Sequence, residues 1–574
     1  MNIRIPTLIK DPVTTEFLEL EAVEFVTIKN EDFFLDGPVS KRVAVLDFDP
    51  QSGALLPGAK FRPPTGKQKF GGYEMKDEGQ INQPGFDLHA PDFNQVSVFG
   101  TVLKTMYMFE EPDTLGRPLT WGFDAPQLLV VPRAGRWNNA FYERESHSLQ
   151  FFFFESARRP GQMIQTSLSH DIVSHETGHA ILDGIAPDLY SAVSPQSLAL
   201  HEAIADLTAL MMSFRCEPLA RAALHRKGGS IEDSHAFSGI AEEFAFESDP
   251  HGRSIFLRNL LNNKTLDPKS PDRVARNEPH ELSEVLSGAL YSVMLKIYEH
   301  LKAEYLNPPP AGSAVKPIPK TQAPFRALLD GSRRLKRMIF RALDYLPLGE
   351  VSFADYARAI IAADQASHPD DSAERDLIRE EFVRRLMVPN KRALEVKTNF
   401  EHPAVKGLDL QALVESDWVA YEFANNNRKL LGIPDGVHFR VRPRLDTTKR
   451  YFLGGGPAMI RECIFKVSWD HKEANRLGGL FPPERQITVG TTLAIDWETQ
   501  KVRALLTSDY ENTQQQEDRD LLLTRLAGEG VLRLGNEAVG PDGKLLSTAV
   551  RAEATDGLMR VRGTSRMLHI AAGV

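Results

Sequence analysis

The stretch Ser174-His175-Glu176-Thr177-Gly178-His179-Ala180 carries two imidazoles and a carboxylate at the HExxH spacing. In a helix, residues four apart stand one above the other, so His175 and His179 can reach a single ion. Glu176 lies to the side, where it can take a proton from a metal-bound water. Zinc hydrolases use this spacing. A catalytic zinc takes three protein ligands and keeps one position open. Glu202, within Leu200-His201-Glu202-Ala203-Ile204-Ala205-Asp206, is the best candidate for the third. It falls on the next helical pattern, after a loop long enough for two helices to pack antiparallel. Asp206 lies four residues further along the same face. There it can accept a hydrogen bond from the far nitrogen of a ligand histidine and fix its tautomer. His201 points off the face of Glu202 and is not read as a ligand.

The elements that must position these groups follow from periodicity and caps. The motif sits in a helical pattern from about 169 to 182, closed by Gly184 and Pro187. Ile172, His175, His179 and Leu182 share one face. Ser194-Pro195 opens the next helix, with serine as N-cap and proline at the first position. Upstream, residues 93–109 read as a helix, 127–132 as a buried strand, and 138–154 as a hairpin with a central second strand. Downstream, 281–301 is a long amphipathic helix, 307–324 a stiff proline-rich loop, and 325–346, 353–364 and 372–387 three further helices. Residues 1–90 look β-rich. After Pro389 the pattern returns to strands and turns, with a hairpin over 486–507. The glycine loop at 453–457 lacks the lysine and following helix of a phosphate cradle and reads as a turn.

At 574 residues the chain exceeds a single simple core. Its 42% hydrophobic and 25% charged content match a soluble globular protein. The net charge of -9 argues against a broad nucleic-acid surface. Cys216 and Cys463 read as separate reduced thiols, and neither belongs to a CxxC zinc pair. No stretch has the apolar length of a membrane span or a signal peptide, so a cytoplasmic location is expected, with leaderless export as the alternative. His147, His170 and His251 read as surface or capping residues.

Taken together, these residues resemble the thermolysin-like gluzincin metallopeptidases. In that family HExxH is followed on the next helix by a glutamate in an E-A-x-x-D setting, here Glu202-Ala203-Ile204-Ala205-Asp206. The loop between His179 and Glu202 is slightly longer than in thermolysin, which marks a divergent member. The resemblance implies further roles. Asn139-Ala140-Phe141 matches an edge strand that pairs with the substrate backbone. Tyr190 and His280 match residues that bind the developing oxyanion, the latter through His280-Glu281-Leu282-Ser283 and the later Ala289-Leu290-Tyr291. Leu257-Arg258 matches a pair whose arginine contacts a substrate carbonyl. Ile172 and Leu257 resemble positions lining the pocket after the scissile bond, which favours a hydrophobic side chain there. One zinc ion is the implied cofactor. Asp171 matches a calcium ligand, but Ser213 stands where an acidic partner is expected. Calcium is the weaker expectation, and Asp171 can serve as a helix N-terminal charge.

The expected fold class is α+β. A thermolysin-like two-lobed zincin, with a β-rich N-lobe and an α-helical C-lobe, covers residues 91–388. A β-rich N-terminal domain or pro-segment (1–90) precedes it, and an α+β domain with no identified chemistry (389–574) follows. The expected activity is zinc-dependent hydrolysis of a peptide or protein by an endopeptidase with Glu176 as base. No nucleic-acid or membrane partner is expected. The alternative is a zymogen-like or non-catalytic binding protein of the same fold, its cleft blocked by a terminal domain.

Overall fold

The computed structural model describes residues 2–29, 31–226, 228–232, 235–249, 256–307, 318–369, 372–453, 456–534 and 550–563. His251, most of the proline-rich loop after Asn307 and the tip of the 453–457 turn lie outside these residues.

Two helices form the centre, His170–Ile185 with the HExxH motif and Pro195–Phe214 with Glu202. Ser169 and Ser194 cap them, accepting from the N–H groups of Ile172 and Ser197. Nearly every residue of both is buried. Helices covered all round need neighbours on every side. Pro91–Glu110 packs on the motif helix, and Pro279–Leu306 and Ala323–Tyr345 pack on the helix of Glu202.

The strands of the first 151 residues cover this centre. An antiparallel ribbon, β1 (Ile3–Leu8) and β2 (Val23–Ile28), lies on the helix Pro91–Glu110. A mixed sheet combines β3 (Phe34–Leu35), β4 (Val39–Ser40), β5 (Val43–Val45), β6 (Leu128–Val131), β7 (Ala140–Glu143) and β8 (Ser148–Phe151). Its order is β3-β4-β5-β6-β8-β7, which leaves β7 at an edge. The boundary expected near residue 90 does not coincide with a break in this sheet, since β5 pairs with β6 across it. Ile3, Ile5, Val43 and Val45 share one apolar core with Ile181 and Leu200.

Lys10 follows β1 and buries its ammonium beneath the start of the motif helix. It donates to Asp171 Oδ2 and to the Gly239 carbonyl, and lies 3.5 Å from Glu242 Oε2. Ser213 Oγ donates to Asp171 Oδ1 at 3.3 Å. Both oxygens of Asp171 are therefore taken by protein donors, one of them a cation. The calcium expectation fails at this position for that reason. His170 also departs from its reading as a surface or capping residue. It is 1% exposed, at the first position of the motif helix.

After the helices Phe353–Ser367 and Ala373–Arg384, the chain builds a largely antiparallel sheet. Its long strands are β9 (Phe439–Leu453), β10 (Gly456–Ala474), β11 (Glu484–Asp496) and β12 (Val502–Thr507). Phe465, Trp469, Val489 and Leu493 form a core on one side, and Ile464, Ala494 and Leu506 join the main core on the other. Contact is close at Gly349, where φ is +82° and an added Cβ would stand 2.0 Å from the Thr488 carbonyl oxygen. The helix Thr513–Gly528 then returns toward the motif region. Among the described residues, no helix is long and apolar enough to cross a membrane.

Lys10 gives a test. Burial alone would lower its pKa, but the charges of Asp171, Glu242 and Asp11 hold it above the usual lysine range. A raised folded pKa means that its contribution is complete below about pH 10.4 and is lost only as pH climbs through the folded value. Lys10→Met leaves buried carboxylates uncompensated and is expected to cost about 3–5 kcal/mol at neutral pH. Thermal unfolding at pH 7 checks this. Millimolar calcium is expected to leave the parent's transition unchanged.

Candidate metal centre

The two central helices bring the motif side chains together. Gly178 permits the approach, since an added Cβ would stand 3.0 Å from Thr208 Oγ1 and 3.1 Å from Ala205 Cα. His175, Glu176, His179, Glu202 and Asp206 are all buried. Donor atoms of His175, Glu176 and His179 lie within 4.8 Å of one another. The Nε2 atoms of His175 and His179 are 3.1 Å apart. Glu202 Oε1 is 3.5 Å from His179 Nε2, and its Oε2 is 3.7 Å from His175 Nε2. With bonds of about 2.0–2.1 Å, a tetrahedral ion needs ligand atoms about 3.3–3.4 Å apart. The spacing fits such an ion. The environment of Glu202 fits as well, because it is 0% exposed and its oxygens face the two imidazoles and the Arg258 guanidinium at 3.4–3.7 Å. Arg258 already offsets part of the cost of burying this carboxylate, and a metal ion between the three donors would offset more of it.

Charge is arranged around this point. Burial would raise Glu202, but His179, Arg258 and His175 hold it well below the usual carboxylate range. Asp206 Oδ1 is 3.0 Å from His175 Nδ1. Arg258 turns inward, donating to Asp206 Oδ1 through Nε at 3.0 Å and standing 3.4 Å from Glu202 Oε2. Its Nη2 stands 3.3 Å from His175 Nε2, and the residue also borders a recess. Glu176 Oε2 accepts the Tyr142 N–H at 3.0 Å. Burial, opposed by His179 and reinforced by the Glu202 charge, pushes Glu176 up to about 8. A divalent cation beside it pulls the other way.

The edge strand is keyed to the motif helix through Asp183. Tyr142 Oη donates to Asp183 Oδ2 at 2.6 Å, and Arg144 Nε donates to the same oxygen at 2.9 Å. Asn139 and Ala140, at the start of β7, face a small recess of about 60 Å³. Its other walls include Ile172, Ile240, Phe244 and Leu257. Tyr190 packs its ring against Tyr142 and His201, with the Arg144 guanidinium 4.2 Å from the ring centroid. His280 is in the first turn of Pro279–Leu306, partly exposed, with Nδ1 3.5 Å from Glu278 Oε1. Burial would lower its pKa, but Glu278 and Glu202 hold it raised. A larger recess of about 320 Å³, between residues 188–193 and the C-terminal sheet, contains none of these groups.

His201 is the contact that sequence reasoning missed. It is not among the three converging donors, yet its Nδ1 lies 2.7 Å from His179 Nδ1, with the rings stacked 4.8 Å apart. Burial, then the neighbouring His179, holds His201 well below the usual histidine range and therefore neutral. A neutral His201 can accept at Nδ1. His179 then carries its proton on Nδ1 and presents a lone pair at Nε2. The only sequence signal was an imidazole adjoining Glu202 on a helix with no exposed face.

No family model matches the chain, and no curated protein matches it. Among solved structures, the fold is distantly similar to the precursor of protealysin, a metalloproteinase from Serratia proteamaculans. The TM-score is 0.32 at 13% identity, covering 63% of this chain and 89% of that one.

The His201 contact predicts a split between two substitutions. His201→Leu removes the acceptor and is expected to weaken zinc binding about 10–100-fold. His201→Asn keeps an acceptor and is expected to retain most of the affinity. Competition against a zinc chelator measures both, and equal affinity in the leucine variant would remove this role.

Proposed function

We propose that this chain is a zinc-dependent peptidase, acting as an endopeptidase. The observation that carries the reading is the spacing of His175, His179 and Glu202 around a point that can hold a cation, with Glu176 beside it. Zinc held by these three would supply Lewis-acid polarisation and an acidified water. Glu176 is the base in this reading. The Tyr142 N–H fixes one oxygen, and the carboxylate takes a proton from the attacking water as a C–O bond forms at the peptide carbonyl. It passes that proton to the amine nitrogen as the C–N bond breaks. His280 and Tyr190 serve as donors to the oxyanion that develops on the carbonyl. Glu278 beside Nδ1 favours the His280 ring that carries both protons, which leaves an N–H at Nε2 to donate.

The substrate lies extended along the β7 edge, with Asn139 and Ala140 offering backbone groups as to an added strand. Asp206 orients His175 and holds Arg258 at the rim of the recess. The recess receives the side chain after the scissile bond, and its small apolar volume selects a short aliphatic group. Among the described residues, those that line the recess all fall between 139 and 258.

Two outcomes are expected. Glu176→Gln keeps its zinc and loses about 10²–10⁴-fold in kcat. Digestion at the parent's rate would show that another group is the base. A peptide-library digest by the zinc-loaded parent should cut before Val, Leu or Ile and stop when a zinc chelator is added. Zinc content without cleavage of any peptide would sink the peptidase reading.

A further inference from the structure

The segment Arg276-Asn277-Glu278-Pro279-His280, which leads into the long helix, is held by a helix from far along the chain. Asp518 and Arg525 lie seven residues apart on Thr513–Gly528 and so share a face. Asp518 Oδ2 is 3.6 Å from Arg276 Nη1, and Arg525 Nη1 is paired with Glu278 Oε2. The two contacts have opposite polarity. A shifted register would therefore set like charges against each other. The second oxygen of Glu278 is the one 3.5 Å from His280 Nδ1. Arg525, Glu278 and His280 thus form one chain of contacts. Behind it, Leu522, Leu523 and Leu526 pack with Val193 and Leu198, at the entry to the helix that carries Glu202. One helix therefore braces both the His280 segment and the start of the Glu202 helix.

We infer that the helix Thr513–Gly528 is a clamp for the site and that Arg525 is a positioning residue for His280. Arg525 occupies Glu278 Oε2, so Oε1 remains to accept from His280 Nδ1–H. The ring is then held with Nε2 directed away from Glu278. Without Arg525 the carboxylate is free to rotate, and His280 loses the fixed acceptor that sets its ring. Its catalytic consequence rests on the reading of His280 as an oxyanion donor; the clamp itself does not.

The test uses the full-length, zinc-loaded protein and an internally quenched peptide. Arg525→Ala is expected to lower kcat roughly ten- to hundredfold, with KM and zinc content unchanged. Arg525→Lys, which keeps the charge, should recover most of the loss. In a His280→Ala background, Arg525→Ala should add nothing. An unchanged kcat, or a loss of the same size in that background, overturns the positioning role. Hydrogen exchange over residues 276–283 tests the clamp without any turnover. Faster exchange in Arg525→Ala than in the parent is expected, and identical exchange overturns it. A parent that cleaves no peptide, yet shows the exchange difference, would defeat the peptidase reading and leave the clamp standing.

Discussion

Glu202 is a carboxylate taken completely out of water between two helices, and much of the surrounding architecture answers that one cost. Desolvating an ion carries an effective penalty of several kcal/mol unless opposite charge and good geometry offset it. His179, His175 and Arg258 supply that offset from three separate parts of the chain. They can do so only if the motif helix and the helix of Glu202 run at close range. Gly178 follows from this need, as does the burial of nearly every side chain on both helices. Arg258 reaches the carboxylate from a separate two-residue strand and lies 12% exposed there. Three donors spaced for a tetrahedral ion complete the arrangement, because a cation among them turns the penalty into binding energy.

The same device recurs at two other junctions. Lys10 ties the first strand to Asp171 and Glu242. Lys449 lies 2.7 Å from Asp344 and 2.8 Å from Glu462, with all three side chains 0% exposed. Such groups add little net stability compared with apolar filling, but removing one partner is strongly penalised. Each therefore holds its two segments in one relative position. A site that must keep ligand atoms within a few tenths of an ångström benefits from that.

Local signals were legible in the sequence. The apolar periodicity from about residue 169 and the Ser194-Pro195 cap located both central helices, because capping and helical pitch act within a few residues. HExxH with Glu202 and Asp206 was legible for the same reason, since helical spacing alone aligns each pair. What could not be read depends on the rotation of one element against another. His201 meets His179 only because of how the two helices face each other. Lys10 finds Asp171 at a separation of 161 residues, and Arg525 finds Glu278 at 247. His170 has a polar side chain at a helix start, which fits a surface position until the packed neighbours are known. The strands of the first 90 residues were recognisable, but alternation does not say which sheet a strand joins. The β-rich pattern and the start of the family resemblance therefore suggested a boundary that the sheet does not respect.

Residues beyond 389 carry no chemistry of their own that the sequence revealed, yet they are tied into the molecule at points that matter. Arg519, buried in the helix Thr513–Gly528, donates to Glu350 at 2.9 Å and to Glu473 at 2.6 Å. The first lies just beyond the helix Ala323–Tyr345, and the second is on β10. The helix is thus pinned to the helical block and to the C-terminal sheet at once. Tyr345 donates to Glu462 at 2.9 Å, and Lys466 donates to the Leu346 carbonyl at 2.9 Å, joining that block to that sheet again. A brace anchored at one end would follow the local motion of its anchor. One anchored on both bodies has few ways to move that do not break a buried ion pair. Its far face, with Asp518 and Arg525, therefore presents a fixed pattern of charge to the segment before His280. Its leucines do the same for the entry to the Glu202 helix. The C-terminal region thus acts on the site through rigidity, at a distance from the donors.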